Sequence, residues 1–179
     1  MPTRRELVAD AAVTVLATEG PRGLTHRAVD RAADLPPGST SNCFRSRAAL
    51  VSAVIDRVEQ LDLEVMASTL GSDPAPLSAL PGQLAAVVGA MTAPEHVRAT
   101  RARLALLLDE SAGGAMALGH HRFLARLRDM LAEGGHPTPD ASARMVSDLL
   151  DGALLHAVAV PTRQVDVDQL RAGVARLLG

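Results

Sequence analysis

The sequence has few aromatic residues, one cysteine and no lysine. Phe44 and Phe123 are its only aromatic residues, since the 179 residues include no tryptophan and no tyrosine. Strands are enriched in aromatic and β-branched residues, so a chain dominated by Ala, Leu and Val favours helices over a sheet. A single cysteine, Cys43, excludes an internal disulfide. With 47% apolar and 21% charged residues, the composition excludes collagen-like and disordered classes and indicates a folded chain.

The sequence also has no unbroken apolar run of membrane-spanning length. Residues 1–6 run into a charged amphipathic stretch instead of an apolar one, so we expect no targeting segment and a cytoplasmic protein. The longest uncharged run, Pro74 to Pro94, contains further prolines and a glycine in its first half. We therefore expect this run to form a buried helix and the protein to have no membrane partner.

The net charge of −2 is unevenly distributed along the chain. Residues 1–50 contain seven arginines and five acidic residues, whereas residues 51–179 contain eleven arginines and fifteen acidic residues. The N-terminal end is therefore the region whose charge suits an anionic partner, although the asymmetry alone is modest.

The periodicity of apolar residues predicts an all-α protein. The predicted helices cover about residues 4–19, 26–33, 37–43 or 44, 47–70, 80–92, 95–110, 117–133, 138–159 and 166–178. Thr3 and Glu6 form the capping-box pattern that begins the first helix, and Pro37 suits the first position of the third. We expect an N-terminal three-helix domain over 1–48 and a C-terminal helical bundle over 49–179. The turn-rich stretch 71–76 is a candidate boundary between functional regions.

A supporting helix followed by two short helices and a tight turn is the layout of a helix-turn-helix, which places its second short helix in a DNA major groove. That second helix consists almost entirely of small or polar residues, so its exposed face has little to bury. Ser39, Ser41 and Asn42 can hydrogen-bond to base edges, and Gly38 permits a close approach of the backbone. From spacing alone, a solvated turn between packed helices remains an alternative.

Side chains suited to phosphate flank this short helix. Thr25 and Ser46 stand at helix N-termini, and Arg27 and Arg47 carry positive charge beside them. Together with the polar helix they predict contacts to both the bases and the backbone of DNA.

The N-terminal third resembles the DNA-binding domain of the tetracycline-repressor (TetR) family. The resemblance is carried by three stretches, Gly23-Leu24-Thr25-His26-Arg27-Ala28-Val29, Pro36-Pro37-Gly38-Ser39-Thr40 and Phe44-Arg45-Ser46-Arg47-Ala48-Ala49-Leu50. It implies that Thr25 and Arg47, with Arg4 or Arg5, contact the DNA backbone and that Arg27 contacts backbone or base. It further implies that five residues face the groove, namely Pro37, Gly38, Ser39, Ser41 and Asn42. The chain departs from the family pattern at Ser41 and Cys43, where tyrosines are usual.

The resemblance also implies partners. A TetR-like regulator is expected to bind a palindromic double-stranded operator as a homodimer through its last two helices, and to be a repressor released by a small effector. The aliphatic middle helices favour an apolar effector, but they could equally pack on one another without a cavity, so no ligand-binding residue is assigned.

Other chemistry has little support in the sequence. No two histidines have the i, i+4 spacing of a helical metal site, and neither a Ser-His-Asp order nor a phosphate-binding loop with lysine is present. We therefore expect no metal, no cofactor and no enzymatic activity. Two alternatives stay open: a ligand carrier or enzyme whose helix-turn-helix is only structural, and a regulator that needs its ligand in order to bind DNA.

Overall fold

The computed structural model describes residues 3–70, 76–109, 112–160 and 162–179, and within them the chain forms helices and no strand. The helices are α1 (Arg4–Gly23), α2 (His26–Ala32), α3 (Ser39–Cys43), α4 (Arg47–Leu70), α5 (Leu80–Thr92), α6 (Val97–Leu107), α7 (Gly113–Glu133), α8 (Pro139–Ala159) and α9 (Val167–Leu178). A 3₁₀ turn, Leu77–Ala79, precedes α5. The expected all-α fold is confirmed.

Local signals account for both limits predicted for α1. Thr3 and Glu6 form the expected capping box, in which the amide of Glu6 donates to Thr3 Oγ1 at 3.2 Å and the amide of Thr3 donates to Glu6 Oε2 at 2.6 Å. α1 kinks at Gly20, whose φ of 71° lies in the left-handed region, and one helical turn follows the kink. The predicted end near residue 19 therefore corresponds to the kink.

Two predicted helix starts were wrong. α3 begins at Ser39 rather than Pro37, because Gly38 takes the N-cap position with φ of 90° and the prolines before it form a turn. α7 begins at Gly113, four residues earlier than expected. Of the predicted boundary stretch, residues 71–75 lie outside the described part of the chain.

The chain divides into two compact units, the first of which comprises Met1–Asp62 and Arg98–Ala117. In its core, α1, α2, α4 and α6 bury aliphatic side chains around Phe44, including Val8, Leu16, Val29, Leu50, Val54 and Leu106. Ion pairs join the helices at the margin: Arg57 Nε lies 2.5 Å from Asp10 Oδ1, and Arg103 Nη2 lies 2.6 Å from Asp62 Oδ2. Unit 1 thus contains the predicted helix-turn-helix together with α6.

The second unit comprises Leu63–Val97 and Leu118–Gly179. Here α5 packs on α8 and α9, and α8 packs on α9. Leu131, Val146 and Val174 are fully buried in its core. Glycine permits the close contact of α5 with α9, since a Cβ at Gly89 would lie 2.8 Å from Val167 Cγ2. These two packing units differ from the predicted functional regions 1–48 and 49–179. Packing does not test which residues bind DNA, so the functional boundary at 48/49 stays a prediction.

None of the described helices alone is long and apolar enough to cross a bilayer, although the bent pair Leu77–Thr92 and Val97–Leu107 together reaches the necessary length and composition.

Candidate nucleic-acid interface

α3 lies on the surface of unit 1, supported by α1 and α2. Its C-terminal neighbour Phe44 and its own Thr40 are buried, at 2% and 0% exposure, and anchor the helix to the core. The opposite face consists of Ser41 and Asn42, which are exposed. The helix therefore presents polar side chains to solvent, while the buried Phe44 that follows it packs in the core.

Four of the five residues predicted to face the groove form one exposed surface. Pro37, Gly38, Ser41 and Asn42 are all exposed, and the side chains of Ser41 and Asn42 make no hydrogen bond to any described residue. Their donors and acceptors are therefore available to a polar partner. A Cβ at Gly38 would meet nothing within 4 Å, so this glycine is required by its positive φ rather than by crowding.

Ser39 differs from these four. It is 6% exposed, and its hydroxyl donates to the carbonyl of Pro36 at 2.7 Å. In this conformation Ser39 stabilises the turn before α3, and its hydroxyl faces its own chain.

Thr25 and Arg27 stand at the start of α2, as predicted. Thr25 is the N-cap, and its Oγ1 accepts from the amide of Ala28 at 3.2 Å. Arg27 is exposed and pairs with no described residue. The threonine orders the helix end, and the arginine beside it is free to meet an anion.

The guanidinium of Arg47 has intramolecular partners. Nη1 donates to the carbonyl of Leu24 at 2.5 Å, and Nη2 donates to the carbonyl of Pro21 at 2.6 Å. The side chain thus connects the start of α4 to the last turn of α1 and to Leu24, which follows it. Arg47 remains exposed, so its charge still adds to the positive surface.

The other arginines of the N-terminal region fall into two groups. Arg5 is occupied, because its Nη1 donates to the carbonyl of Cys43 at 3.0 Å and its guanidinium lies 4.3 Å from the centre of the Phe44 ring. The remaining arginines are exposed and make no hydrogen bond or ion pair to a described residue; with Arg27 they are Arg4, Arg22, Arg31 and Arg45.

The five acidic residues among positions 1–50 differ in how far their charge is offset. Asp10 pairs with Arg57 of α4, and Asp30 is buried under α3. Glu6, which caps α1, is exposed, as are Glu19 and Asp34. The exposed charge of residues 1–50 is therefore more positive than their formal charge indicates, which favours binding of a polyanion.

Two residues of α2 that were not predicted as site residues, His26 and Asp30, bond to the ends of α3. Asp30 Oδ2 accepts from the amide of Gly38 at 2.8 Å, and Oδ1 accepts from the amide of Thr40 at 2.7 Å and from its hydroxyl at 2.6 Å. His26 Nε2 lies 2.7 Å from the carbonyl oxygen of Phe44. The available signal was a histidine and an aspartate at i and i+4 on a short helix, directly before a Pro-Pro-Gly turn.

The environment of Asp30 keeps it ionised. Burial acts to raise its pKa, but the hydrogen bonds from Thr40 and Gly38, with a contribution from His26, outweigh burial and lower the pKa below the ordinary value of 3.8. A carboxylate that accepts three hydrogen bonds is therefore maintained inside the helix-turn-helix.

Unit 2 contains a cavity of about 310 Å³, which is at the lower end of the range for small-molecule pockets. Leu77, Ser78, Pro81, Leu131, His136, Ala175, Leu178 and Gly179 line it. Val88, Met91 and Leu127 of the aliphatic middle helices are buried in the core of this unit. The effector site therefore has no assigned residues.

α8 has an apolar outer face in addition to its buried face. Met145 and Leu155 are 46% and 44% exposed, and Gly152 and Ala159 lie on the same side of the helix at intervals of three, four or seven residues. His156 also lies on this exposed side. An exposed apolar stripe on a long helix is typical of an interface with another chain.

The described residues include no group of three or more His, Cys, Asp or Glu side chains placed to hold a metal ion. His120 and His121 point in different directions, with ring centres 6.4 Å apart, and His120 Nδ1 lies 3.8 Å from Asp151.

No family model matches the sequence, and no curated protein does. Solved structures do match along nearly the whole chain. A TetR-family member from Streptomyces coelicolor is 28% identical, with a TM-score of 0.76 and 99% of each chain covered. The multidrug binding protein EbrR, complexed with malachite green, is 26% identical, with a TM-score of 0.75 and the same coverage. A transcriptional regulator from a Rhodococcus species shares the fold at 20% identity, with a TM-score of 0.78 over 98% of this chain and 96% of that one.

These proteins are described as regulators or as a binding protein rather than as enzymes. The similarity extends from the helix-turn-helix to α9. It therefore includes both the motifs of residues 23–50 and the helices that follow them. The chain is therefore similar in fold and, at 26–28% identity, in sequence to a solved member of the TetR family and to the multidrug binding protein EbrR along nearly its whole length.

Proposed function

We propose that this protein binds a palindromic DNA operator through α3, as a homodimer, and represses transcription until a small apolar effector releases it. The observation that carries the DNA-binding part is the exposure of Pro37, Gly38, Ser41 and Asn42 in a region of the chain whose exposed arginines mostly make no hydrogen bond or ion pair to a described residue. Exposed polar side chains and available positive charge in one region suit base edges flanked by phosphates.

The proposed contacts divide into two classes. Asn42 and Ser41 read base edges in the major groove, where an asparagine amide can pair with adenine in a bidentate manner. Thr25, Arg27 and Arg47 contact phosphates, together with Arg4. Gly38 and Pro37 bring the backbone close to the groove. Ser39 contributes indirectly through its bond to Pro36.

The homodimer is supported by the outer face of α8. One five-residue helix offers few base contacts, so two copies that bind half-sites one helical turn apart add their affinities. Burying Met145, Gly152, Leu155 and Ala159 against a second copy would remove an exposed apolar stripe from water. In this arrangement residues 1–48 bind DNA and residues 49–179 provide the dimer contacts and the effector site.

The third proposed partner is a small-molecule effector. EbrR has been solved with malachite green and with ethidium, which supports a ligand-binding role for this chain as well. A ligand can release the operator only by binding more tightly to a form whose two α3 helices are wrongly spaced. A protein with this role acts in the compartment that holds the DNA, consistent with the expectation of a cytoplasmic protein.

DNA binding is tested with duplexes selected from a random library by the purified protein. The selected duplex is expected to be palindromic, and its affinity should fall steeply as salt rises. Arg27→Ala removes one phosphate contact from each subunit and should reduce the slope of log affinity against log salt by about two. Arg126→Ala is the matched control and should leave the slope unchanged, since Arg126 is an exposed arginine of α7 that pairs with no described residue.

Selection of no duplex above background would contradict the proposal and favour a carrier or enzyme in which the helix-turn-helix is only structural. The dimer is tested separately by light scattering of Leu155→Arg, which should convert a dimer of about 37 kDa, twice the 18.6 kDa chain, into a monomer. A native protein that is monomeric at micromolar concentration would overturn the dimer but not the DNA surface.

A further inference from the structure

We propose that His26 and Asp30 act as a pair of positioning residues that fix the recognition helix α3 at both of its ends. The inference rests on the proposed DNA-binding function and extends it to two residues that would not touch DNA themselves. Both side chains come from α2, one turn apart, and both bond to backbone groups at the ends of α3.

α3 needs such support because it is too short to be stable alone. Its five residues form little more than one turn, whereas isolated helices require about 12–15 residues even for good helix formers. Its N-cap is Gly38, which has no side chain to bond the first amides. The amides at the start of α3 must therefore find acceptors elsewhere.

Asp30 supplies those acceptors. Its carboxylate accepts from the amides of Gly38 and Thr40 and from the hydroxyl of Thr40, all at 2.6 to 2.8 Å. Asp30 is 4% exposed and Thr40 is fully buried, so water cannot readily replace these bonds. The negative charge also lies at the end of α3 where the helix dipole is positive.

His26 acts at the opposite end. A carbonyl oxygen can only accept a hydrogen bond, so the imidazole must donate its Nε2 proton to the carbonyl of Phe44 across 2.7 Å. Phe44 is the C-cap of α3 and is buried in the core of unit 1. Since residues at i and i+4 share one face of a helix, α2 directs both the donor and the acceptor towards α3.

This arrangement fixes the direction in which Ser41 and Asn42 point. Base readout depends on bond geometry, whereas phosphate contacts from flexible arginines tolerate small shifts. Loss of either positioning residue should therefore weaken binding to a specific sequence while binding to unrelated DNA is retained. Simple destabilisation of the whole protein would lower both.

The experiment compares two DNA probes: the duplex selected by the native protein and an unrelated duplex of equal length, at one salt concentration. Asp30→Ala and His26→Ala are expected to bind the selected duplex at least about tenfold more weakly and the unrelated duplex within about twofold of native, with an unchanged salt slope. Asp34→Asn removes an exposed acid four residues further on and controls for charge; it should bind both probes like the native protein.

Conservative variants test the role of the acceptor. Asp30→Asn keeps one acceptor oxygen and should recover part of the lost affinity. Thr40→Val keeps the shape of the buried side chain and removes only the hydroxyl bond, so it should fold even where Asp30→Ala does not, and bind the selected duplex a few fold more weakly. If Asp30→Ala folds and binds the selected duplex like the native protein, or loses both probes equally, the inference is wrong.

Amide hydrogen exchange gives a readout that needs no DNA. The amides of Gly38 and Thr40 should exchange at least tenfold faster in Asp30→Ala than in the native protein, while amides in α8 should be unaffected. If the native protein selects no duplex, the proposed function fails, and the exchange of these two amides alone decides whether the pair orders α3. Unchanged exchange would overturn the inference in either case.

Discussion

The helix-turn-helix and the helices of unit 2 are stabilised by different kinds of interaction. α5, α8 and α9 are 12 to 21 residues long and pack on one another through buried aliphatic side chains. α2 and α3 have seven and five residues, and their ends depend on side chains that bond to backbone groups. Helices too short to bury much apolar surface need specific polar partners, and these partners also determine where a recognition helix points.

Removal of one large buried side chain, in unit 1 or in unit 2, should have the largest effect on the free energy of unfolding. Phe44→Ala is expected to lower the free energy of unfolding by about 3–5 kcal/mol, because Phe44 is 2% exposed in the core of unit 1. Leu131→Ala, at a fully buried position of unit 2, should cost about 2–5 kcal/mol. Urea unfolding at a fixed protein concentration measures both.

The two variants separate the regions when DNA binding is also measured. Phe44→Ala removes the residue that anchors the end of α3, so operator affinity should fall beyond what the unfolded fraction explains. Leu131→Ala should bind the operator like the native protein at temperatures where it is folded. If either variant lowered the free energy of unfolding by less than about 1 kcal/mol, the neighbouring side chains would have to repack into the space left by the substitution.

Substitution of the glycines with positive φ by alanine should have an intermediate effect on the free energy of unfolding. Gly38→Ala and Gly20→Ala each place a Cβ at φ of 90° or 71°, which should destabilise the protein by about 1–2 kcal/mol. Neither Cβ would meet another atom within 4 Å, so the cost is conformational. Thermal unfolding should give similar values for both, while only Gly38→Ala should weaken operator binding. Equal DNA affinities would show that the N-cap of α3 does not control readout.

These comparisons also show what the sequence could and could not predict. The capping box at Thr3 and Glu6 lies within four residues, so α1 was predicted from local chemistry alone. The exposed polar character of Ser41 and Asn42 follows from a short helix with nothing apolar to bury. The start of α3 was missed because the conformation of Gly38 depends on Asp30, which accepts from its amide across eight residues of chain.

Contacts between residues far apart in the chain also determine which arginines are available to an anion. Their number near the N-terminus can be counted in the sequence, but which of them are free cannot. Arg5 and Arg47 bond to carbonyls 38, 23 and 26 residues away, and these pairings exist only once α1, α3 and α4 have packed. Propensity and periodicity describe local structure and carry no information about contacts at that separation.

Arg47→Ala should have a smaller effect on stability, about 1 kcal/mol, because it removes two hydrogen bonds at an exposed position. Arg45→Ala is the matched control, since Arg45 is exposed two residues earlier and has no partner among the described residues. Chemical denaturation should therefore distinguish the two variants, whereas both should weaken DNA binding. If Arg45→Ala were equally destabilising, the bonds of Arg47 to Pro21 and Leu24 would contribute nothing to folding.

The smallest expected effect is the pH dependence of stability that arises from two carboxyl groups of unit 1. Asp30 has a lowered pKa, so its contribution to stability is present above the ordinary value of 3.8 and is lost as pH falls through the folded-state pKa. Burial raises the pKa of Asp62, and Glu59 adds to the rise, while Arg103, 2.6 Å away, opposes it. From pH 3.8 up to that raised pKa, folded Asp62 holds more proton than the unfolded chain, so its contribution to stability decreases as pH rises.

The test uses Asp30→Asn and Asp62→Asn, with unfolding free energies measured from pH 2.5 to 7. The difference in unfolding free energy between the native protein and each variant should change with pH in opposite directions for the two variants. Compared with Asp30→Asn, the native protein should gain stability as pH rises towards 3.8. Compared with Asp62→Asn, it should lose stability as pH rises above 3.8. Parallel profiles would mean that the hydrogen bonds to Asp30 do not outweigh its burial, and the carboxylate would then no longer differ from one that is merely buried.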